Sequence, residues 1–390
     1  MKKRVLALVL SVVMAAASLV GCSTTGNDSA AEYKVAMVTD YGDITDQSFN
    51  QTTYEACKAF CEEQDIEFTY KKPANDSTEA RVASTEEAID EGYNVIVMPG
   101  YAFAGTIVEV AEANPDVKFI VLDCGEGDYL AAVGGDDYYA NPDNYSLDQV
   151  YLDNVYTAIY QEELSGYMAG YAAVMLGYTE LGFLGGMAVP AVIRYGYGFV
   201  QGANDAAAAL GETVNIKYVY GGQFYGDADI TAVMDAWYTD GTEVVFACGG
   251  GIYTSAVDAA VKVDGKVIGV DVDQAGVITD YSGDSSMTVT SAMKGLYPTT
   301  YDALTDIIVN GKWSDYANKI VTLGLVSGTD PEANYVQIPM DSTQWADSFT
   351  QDDYKAMVAD MYNGTITVSN DTTTEPTTPN ANVDYLGSIK

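Results

Sequence analysis

The chain has 390 residues and no histidine. That absence removes the commonest general base, the Ser–His and Cys–His nucleophile pairs, and most zinc sites. Positive charge is also scarce. Lys and Arg number 18 against 56 Asp and Glu, a net charge of −38. Nucleic acid and anionic lipid both call for a basic surface, so neither is an expected partner. Cysteine occurs only at 22, 57, 61, 124 and 248. Cys57 and Cys61 lie four apart on one face of an expected helix, where Cβ vectors meet poorly for a disulfide. With no histidine and no second pair, core packing is preferred over metal binding. No GxxxxGK[ST] occurs. The stretch GYGFVQG (196–202) is spaced GxGxxxG, does not closely follow a strand, and lacks an acid at the expected distance. A dinucleotide site is therefore not expected.

The first residues are MKKRVLALVLSVVMAAASLVGCS, with a charged start at Lys2, Lys3 and Arg4 and a nearly all-apolar run over 5–20. This is a secretory leader pattern, too short for a comfortable membrane span. It closes on Leu-Val-Gly-Cys, a lipobox, which implies lipidation of Cys22 and cleavage before it. A diacylated cysteine carries enough chain for stable anchoring on the extracytoplasmic face of a bacterial cell membrane. Residues 23–32 form a polar tether. The segment SNDTTTEPTTPNAN (369–382) is similar, and 369–390 is expected to be a loose tail.

Between these ends, strand-like and helix-like stretches alternate. Expected strands are KVAMVT, IEFTY, NVIVMPG, KFIVLDC, LGFLGG, VNIKYVY, EVVFACGG and KVIGVDVD. Their continuous Val/Ile/Phe runs suit strands buried on both faces, and the alternation predicts parallel sheets with right-handed crossovers. Aspartate and glycine collect at the strand ends: TD (40), PG (100), LDC (123–124), GG (185–186), CGGG (248–251) and GVDVD (269–273). Open parallel sheets bind ligands at their carboxyl ends, so a cleft is expected there.

One junction is unusual. After VAMVT comes DYGDITDQSFNQ, with acids at Asp40, Asp43 and Asp46 and an aromatic before two amides. A metal site, a catalytic pair and a ligand clamp all fit those residue types. The acids are three apart, unlike a DxDxDG calcium loop, and solvated turn residues are an equal alternative.

The segment VAMVTDYGDITDQSFNQTTYEACKAF resembles the opening of the basic membrane protein (BMP) family, lipoprotein substrate-binding components of ABC transporters related to the purine nucleoside receptor. NVIVMPGYAF, KFIVLDC, EELSGYMAGYAA, LGFLGGMAVPAVIRYGYGFVQGA, EVVFACGGG, VIGVDVDQ and TVTSAMKGL continue the resemblance in family order over about 33–300. It implies a type I periplasmic-binding-protein fold: two Rossmann-like α/β lobes with parallel sheets, joined by a multi-strand hinge. The expected division puts 33–153 with about 274–310 in the N-terminal lobe. It puts 154–273 with about 311–368 in the C-terminal lobe.

The resemblance also implies roles. Asp40 is a base-reading carboxylate, Phe49 one face of an aromatic clamp and Asn50 a polar contact to the base. Asp123 is a second acid near the base and Phe224 the opposing aromatic. Gly250 offers a backbone contact, while Asp271 and Lys294 take the ribose. On its own, Phe49 would read as a core residue, and the matched motif reverses that to the clamp. Asp273 competes with Asp271, since a period of two puts both on one side of a strand. The ligand so implied is a purine nucleoside (guanosine, inosine or adenosine), with an ABC transporter permease as partner and no cofactor, metal or catalytic residue. The alternative is a sugar, autoinducer or other small polar solute, or a sensor in the same fold. Two departures bear on the pocket rim: a long Tyr-rich segment at 125–153, and bulky Ile252 and Tyr253 in GGGIYTS.

Overall fold

The computed structural model describes residues 33–390. The expected leader, Cys22 and the tether lie outside the described residues. The strands, in chain order, are β1 (Lys34–Val38), β2 (Glu67–Lys71), β3 (Val95–Pro99), β4 (Lys118–Leu122), β5 (Val155–Tyr160), β6 (Glu180–Gly185), β7 (Val214–Tyr220), β8 (Val244–Cys248), β9 (Lys266–Asp271), β10 (Thr288–Lys294), β11 (Lys319–Leu323), β12 (Val336–Gln337) and β13 (Ala381–Ser388). They form two sheets, ordered β11-β5-β4-β3-β1-β2 and β12-β10-β9-β8-β6-β7-β13. Every pairing is parallel except β10 with β12.

Both faces of each sheet are buried, as the unbroken apolar runs require. In β1, Val35 and Met37 pack to one side with Phe60, while Ala36 and Val38 pack to the other with Phe103. In the second sheet, Phe183 and Phe246 face one core and Leu184 and Ala247 face another. Cys57 and Cys61 are buried free thiols in the first of these layers. Among the described residues no helix is long and apolar enough to cross a membrane.

The expected lobe boundaries need correction. β5 and β11 belong to the first sheet, although 154–273 and 311–368 were expected in the second lobe. β10 pairs with β9 in the second sheet, although 274–310 was expected in the first lobe. The chain changes lobe after the paired strand rather than before it, because each strand's hydrogen-bonding edge is already committed to its neighbour. The crossings fall at Gln161, Gly295 and 324–335. They are laced together, with Gln161 N–H donating to Leu323 O, Gly295 N–H to Tyr335 O and Tyr335 N–H to Gly324 O. This is the hinge.

The loose tail is a second correction. Residues 381–388 pair in parallel along β7. Tyr385 packs against Tyr197 and Tyr218, and Val383 joins the same core. The polar run 369–380 hides a period-two strand at Ala381, Val383 and Tyr385 that covers β7 and becomes the edge of the sheet.

Candidate functional site

The carboxyl ends of strands in both sheets face one another across a cavity of 510 Å³. That volume lies in the range of small-molecule sites. Asp40, Phe49, Asn50 and Asp123 line it from the first lobe, and Phe224, Gly250, Asp271 and Lys294 from the second. All eight residues singled out in the sequence therefore meet at one place. The lobes are closed over it: Ser48 Oγ donates to Asp271 Oδ2 at 2.6 Å, and Tyr41 OH meets Met187 Sδ at 3.3 Å.

The three acids of DYGDITD part company. Asp40 follows β1 and is buried, its Oδ1 accepting the N–H groups of Tyr41 and Gly42, both at 2.6 Å. Burial pushes its carboxyl pKa up against those two bonds. Asp43 is at the surface, paired with Lys72 at 2.9 Å. Asp46 holds the start of the helix Phe49–Gln64. Its carboxylate accepts N–H bonds from Ser48, Asn50 and Gln51, three donors that the helix leaves unpaired. Burial nonetheless raises it to about 6. All three border the cavity, but only Asp40 is held by the turn after β1, while Asp43 is tied to a lysine and Asp46 to a helix end. Asn50 Nδ2 is 3.2 Å from Asp46, while its buried Oδ1 has no partner.

Asp123 and Asp271 occupy matching positions, each at the carboxyl end of a central strand. Their φ angles are +59° and +67°, a left-handed backbone that aspartate tolerates better than most residues. Such conformations cost about 1–3 kcal/mol and persist where surroundings over-determine them. The turn also ends the strand period at Asp271. Asp273 consequently points away: it is exposed and accepts from Ser342 Oγ at 2.7 Å.

Lys294, the last residue of β10, sits between these acids with only 4 % of its side chain exposed. Its ammonium is bonded to Asp123 and lies 3.5 Å from Asp271 and 3.7 Å from Glu162. Burial works to lower its pKa, but those carboxylates outweigh it and hold the ammonium charged. Burial in turn pushes Asp123 up, against the pull of Lys294. The Phe49 ring lies under the ammonium at 4.6 Å. Asp123 Oδ1 is buried with no partner.

Sequence reasoning missed the support for this cluster. Glu162 begins the helix Glu162–Met175, and its Oε2 accepts from Arg194 Nε of the helix Pro190–Leu210 at 2.7 Å. The two helices touch backbone to backbone through Gly166, Gly170, Gly198 and Gly202. A Cβ at Gly170 would stand 2.1 Å from Phe199 O. Two glycines of GYGFVQG therefore serve helix packing. An arginine inside the apolar stretch PAVIRYGYGF was the available signal.

Phe224 stands on the loop after β7. Its ring lies against Gly186 and Gly249, where added Cβ atoms would come within 2.3 and 2.9 Å. No residue of 125–153 lines the cavity, so that segment does not form the rim. Ile252 and Tyr253 are buried in a core of the second lobe, also away from the rim.

Residues 33–366 match the family described as "Bmp: ABC transporter substrate-binding protein PnrA-like". The chain is 27% identical over 349 residues to the "ABC transporter nucleoside-binding protein BmpA" of Lactococcus lactis subsp. cremoris, covering 84% of this chain and 90% of that protein. It is 25% identical over 325 residues to basic membrane protein A of Borreliella burgdorferi, covering 82% of this chain and 86% of that one. Its fold is similar to that of a solved ABC transporter solute-binding protein from Aeropyrum pernix K1, with a TM-score of 0.63 at 19% identity over 87% of this chain and 88% of that one. The two-lobed α/β architecture is that of type I periplasmic binding proteins.

Proposed function

We propose that this chain, which belongs to the Bmp family of PnrA-like ABC transporter substrate-binding proteins, captures an uncharged purine nucleoside and presents it to a permease. One observation carries the proposal. Aromatic rings from opposite lobes, Phe49 and Phe224, line a single closed cavity together with two separate polar groups, Asp40–Asn50 and Asp271–Lys294.

A purine is flat and polarizable, with donors and acceptors on its edge. Stacking contributes about 1–3 kcal/mol per base. Asp40 and the unpaired Asn50 Oδ1 accept from base N–H groups, a charge-assisted bond in the case of Asp40. Asp271 takes the adjacent ribose hydroxyls, and Lys294 donates to a ribose oxygen. The walls carry more acid than base, so a phosphate would meet repulsion, and a nucleoside is favoured over a nucleotide. Guanosine and adenosine can supply two such N–H bonds, and inosine one. Closure is a hinge motion at the three crossings, driven by contacts to both lobes. No bond is made or broken. Lipidation at Cys22, supported by the Leu-Val-Gly-Cys order, would hold the body at the outer face of the membrane.

The test is a thermal-shift screen of residues 23–390 against nucleosides, free bases, nucleotides and sugars. A ligand at 100 times its Kd adds about 2.7 kcal/mol. Selective stabilisation by nucleosides is expected. A response to sugars alone keeps the binding function and discards the purine assignment.

A further inference from the structure

Phe224 stands on a loop with little stiffness of its own. The chain reads GGQFYGD over 221–227, with glycine at 221, 222 and 226, and Gly222 has a φ of +80°. Glycine-rich backbone loses much freedom when ordered, so neighbours must hold it in place. Part of that hold comes from within the family match: Gly221 N–H donates to Gly185 O at 2.7 Å, and Gly251 N–H to Phe224 O at 2.9 Å.

The other part comes from 388–390, beyond the matched residues 33–366. Ile389 N–H donates to Tyr220 O at 2.8 Å, which carries the edge strand onto the base of the loop. Lys390 then crosses Gly222 so closely that a Cβ there would stand 2.9 Å from the Lys390 Cβ. Its ammonium donates to Gln223 Oε1 at 3.0 Å and pairs with Asp227. Gln223 Nε2 donates to Asp227 Oδ2 at 2.8 Å and to Tyr225 O at 2.9 Å. Asp227 also caps the helix Ala228–Thr239 through the N–H groups of Asp229 and Ile230. Lys390, Gln223 and Asp227 thus close a ring of polar bonds around the residues flanking Phe224.

We infer that β13 and the residues after it are a positioning arm for the ligand-facing aromatic, with Lys390 as the contact that fixes the Phe224 loop. The inference rests on the proposed role of Phe224 in stacking on the ligand. The Lys390–Asp227 pair is solvent-accessible, and pairs of that kind add little to global stability. Its effect is therefore local and belongs to binding.

The experiment compares the unaltered chain with Lys390→Ala, Lys390→Arg and a chain stopped after Gly387. Guanosine affinity is measured by calorimetry, and amide exchange of 221–227 is followed without ligand. For Lys390→Ala and the shortened chain, faster exchange over 221–227 and roughly fivefold weaker guanosine binding are expected, with Lys390→Arg restoring both. In a Phe224→Ala background the Lys390→Ala loss should vanish, since the two act as one unit. Unchanged affinity and exchange in both variants would overturn the inference. So would an undiminished loss on top of Phe224→Ala. Should the unaltered chain bind neither guanosine, inosine nor adenosine, the nucleoside assignment fails, and exchange over 221–227 alone decides the arm.

Discussion

The Lys294 ammonium, carried by the second lobe, is bonded to the Asp123 carboxylate of the first, one residue before the chain crosses the hinge at Gly295. The lobes are thus tied by charge where they are also tied by backbone. Breaking a buried pair from one side leaves an uncompensated charge and costs about 3–5 kcal/mol. Lys294→Met is expected to lower the thermal midpoint of the ligand-free chain at pH 7 and to weaken nucleoside binding. An unchanged midpoint would mean that the pair forms only in the closed state.

Stability should fall as pH rises from about 4 to 7. Burial raises Asp46 and Asp128 to about 6 and Glu163 to about 7, above their ordinary values. The folded chain then holds more protons than the unfolded chain between pH 4 and 7, which makes the slope of unfolding free energy against pH negative. The net charge of −38 acts in the same direction through self-repulsion. Melting curves across that range check the sign, and a midpoint that climbs with pH would contradict it.

Ligand affinity should run the opposite way. Asp40 accepts a base N–H only when ionised, and its carboxyl is raised by burial. Binding should therefore weaken as pH drops through its folded pKa. Asp40→Asn should cost about 1.5–3 kcal/mol, roughly 10- to 150-fold in Kd, and flatten the acid limb. Calorimetry at pH 5 and pH 7.5 on both proteins separates the two effects. An unaltered affinity in Asp40→Asn would remove Asp40 from base recognition.

Gly186→Ala tests the aromatic wall without altering a polar side chain. The new Cβ would meet the Phe224 ring at 2.3 Å, and the ring must move. A loss of about 1–3 kcal/mol in nucleoside binding is expected, the size of one stacking contact. Binding as tight as that of the unaltered chain would place the ligand away from Phe224.

Solution scattering should record a smaller radius of gyration with nucleoside than without it. Ser48–Asp271 and Tyr41–Met187 join the lobes in the closed arrangement, and opening at the hinge would part them. Equal radii in both conditions would argue against hinge closure.

Much of this was legible because strand periodicity and strand-end aspartates are local signals. Asp40, Asp123 and Asp271 stand where short apolar runs stop, and one sequence contains that information. The partition among Asp40, Asp43 and Asp46 was not legible, because it depends on which residue the helix 49–64 uses as its cap. Asp271 could not be separated from Asp273 by a period of two, since the period ends at a positive φ. Glu162 and Arg194 meet only because two helices pack through glycines. β13 was masked by the Thr- and Pro-rich run before it. β5, β10 and β11 fell on the wrong side of the lobe boundaries, because a crossing leaves no local mark.

The strand order also constrains how the chain reaches its native state. β5 pairs with β11 in the first sheet, yet β6 to β10 of the second sheet all lie between them in sequence. During N-to-C synthesis, Val155–Tyr160 would wait as an open edge while most of the other lobe is made. Long-range parallel pairing of this kind is slow, and an unpaired edge invites association. The first lobe should therefore complete late, and a chain stopped before residue 319 should be aggregation-prone even though most of both cores is already present.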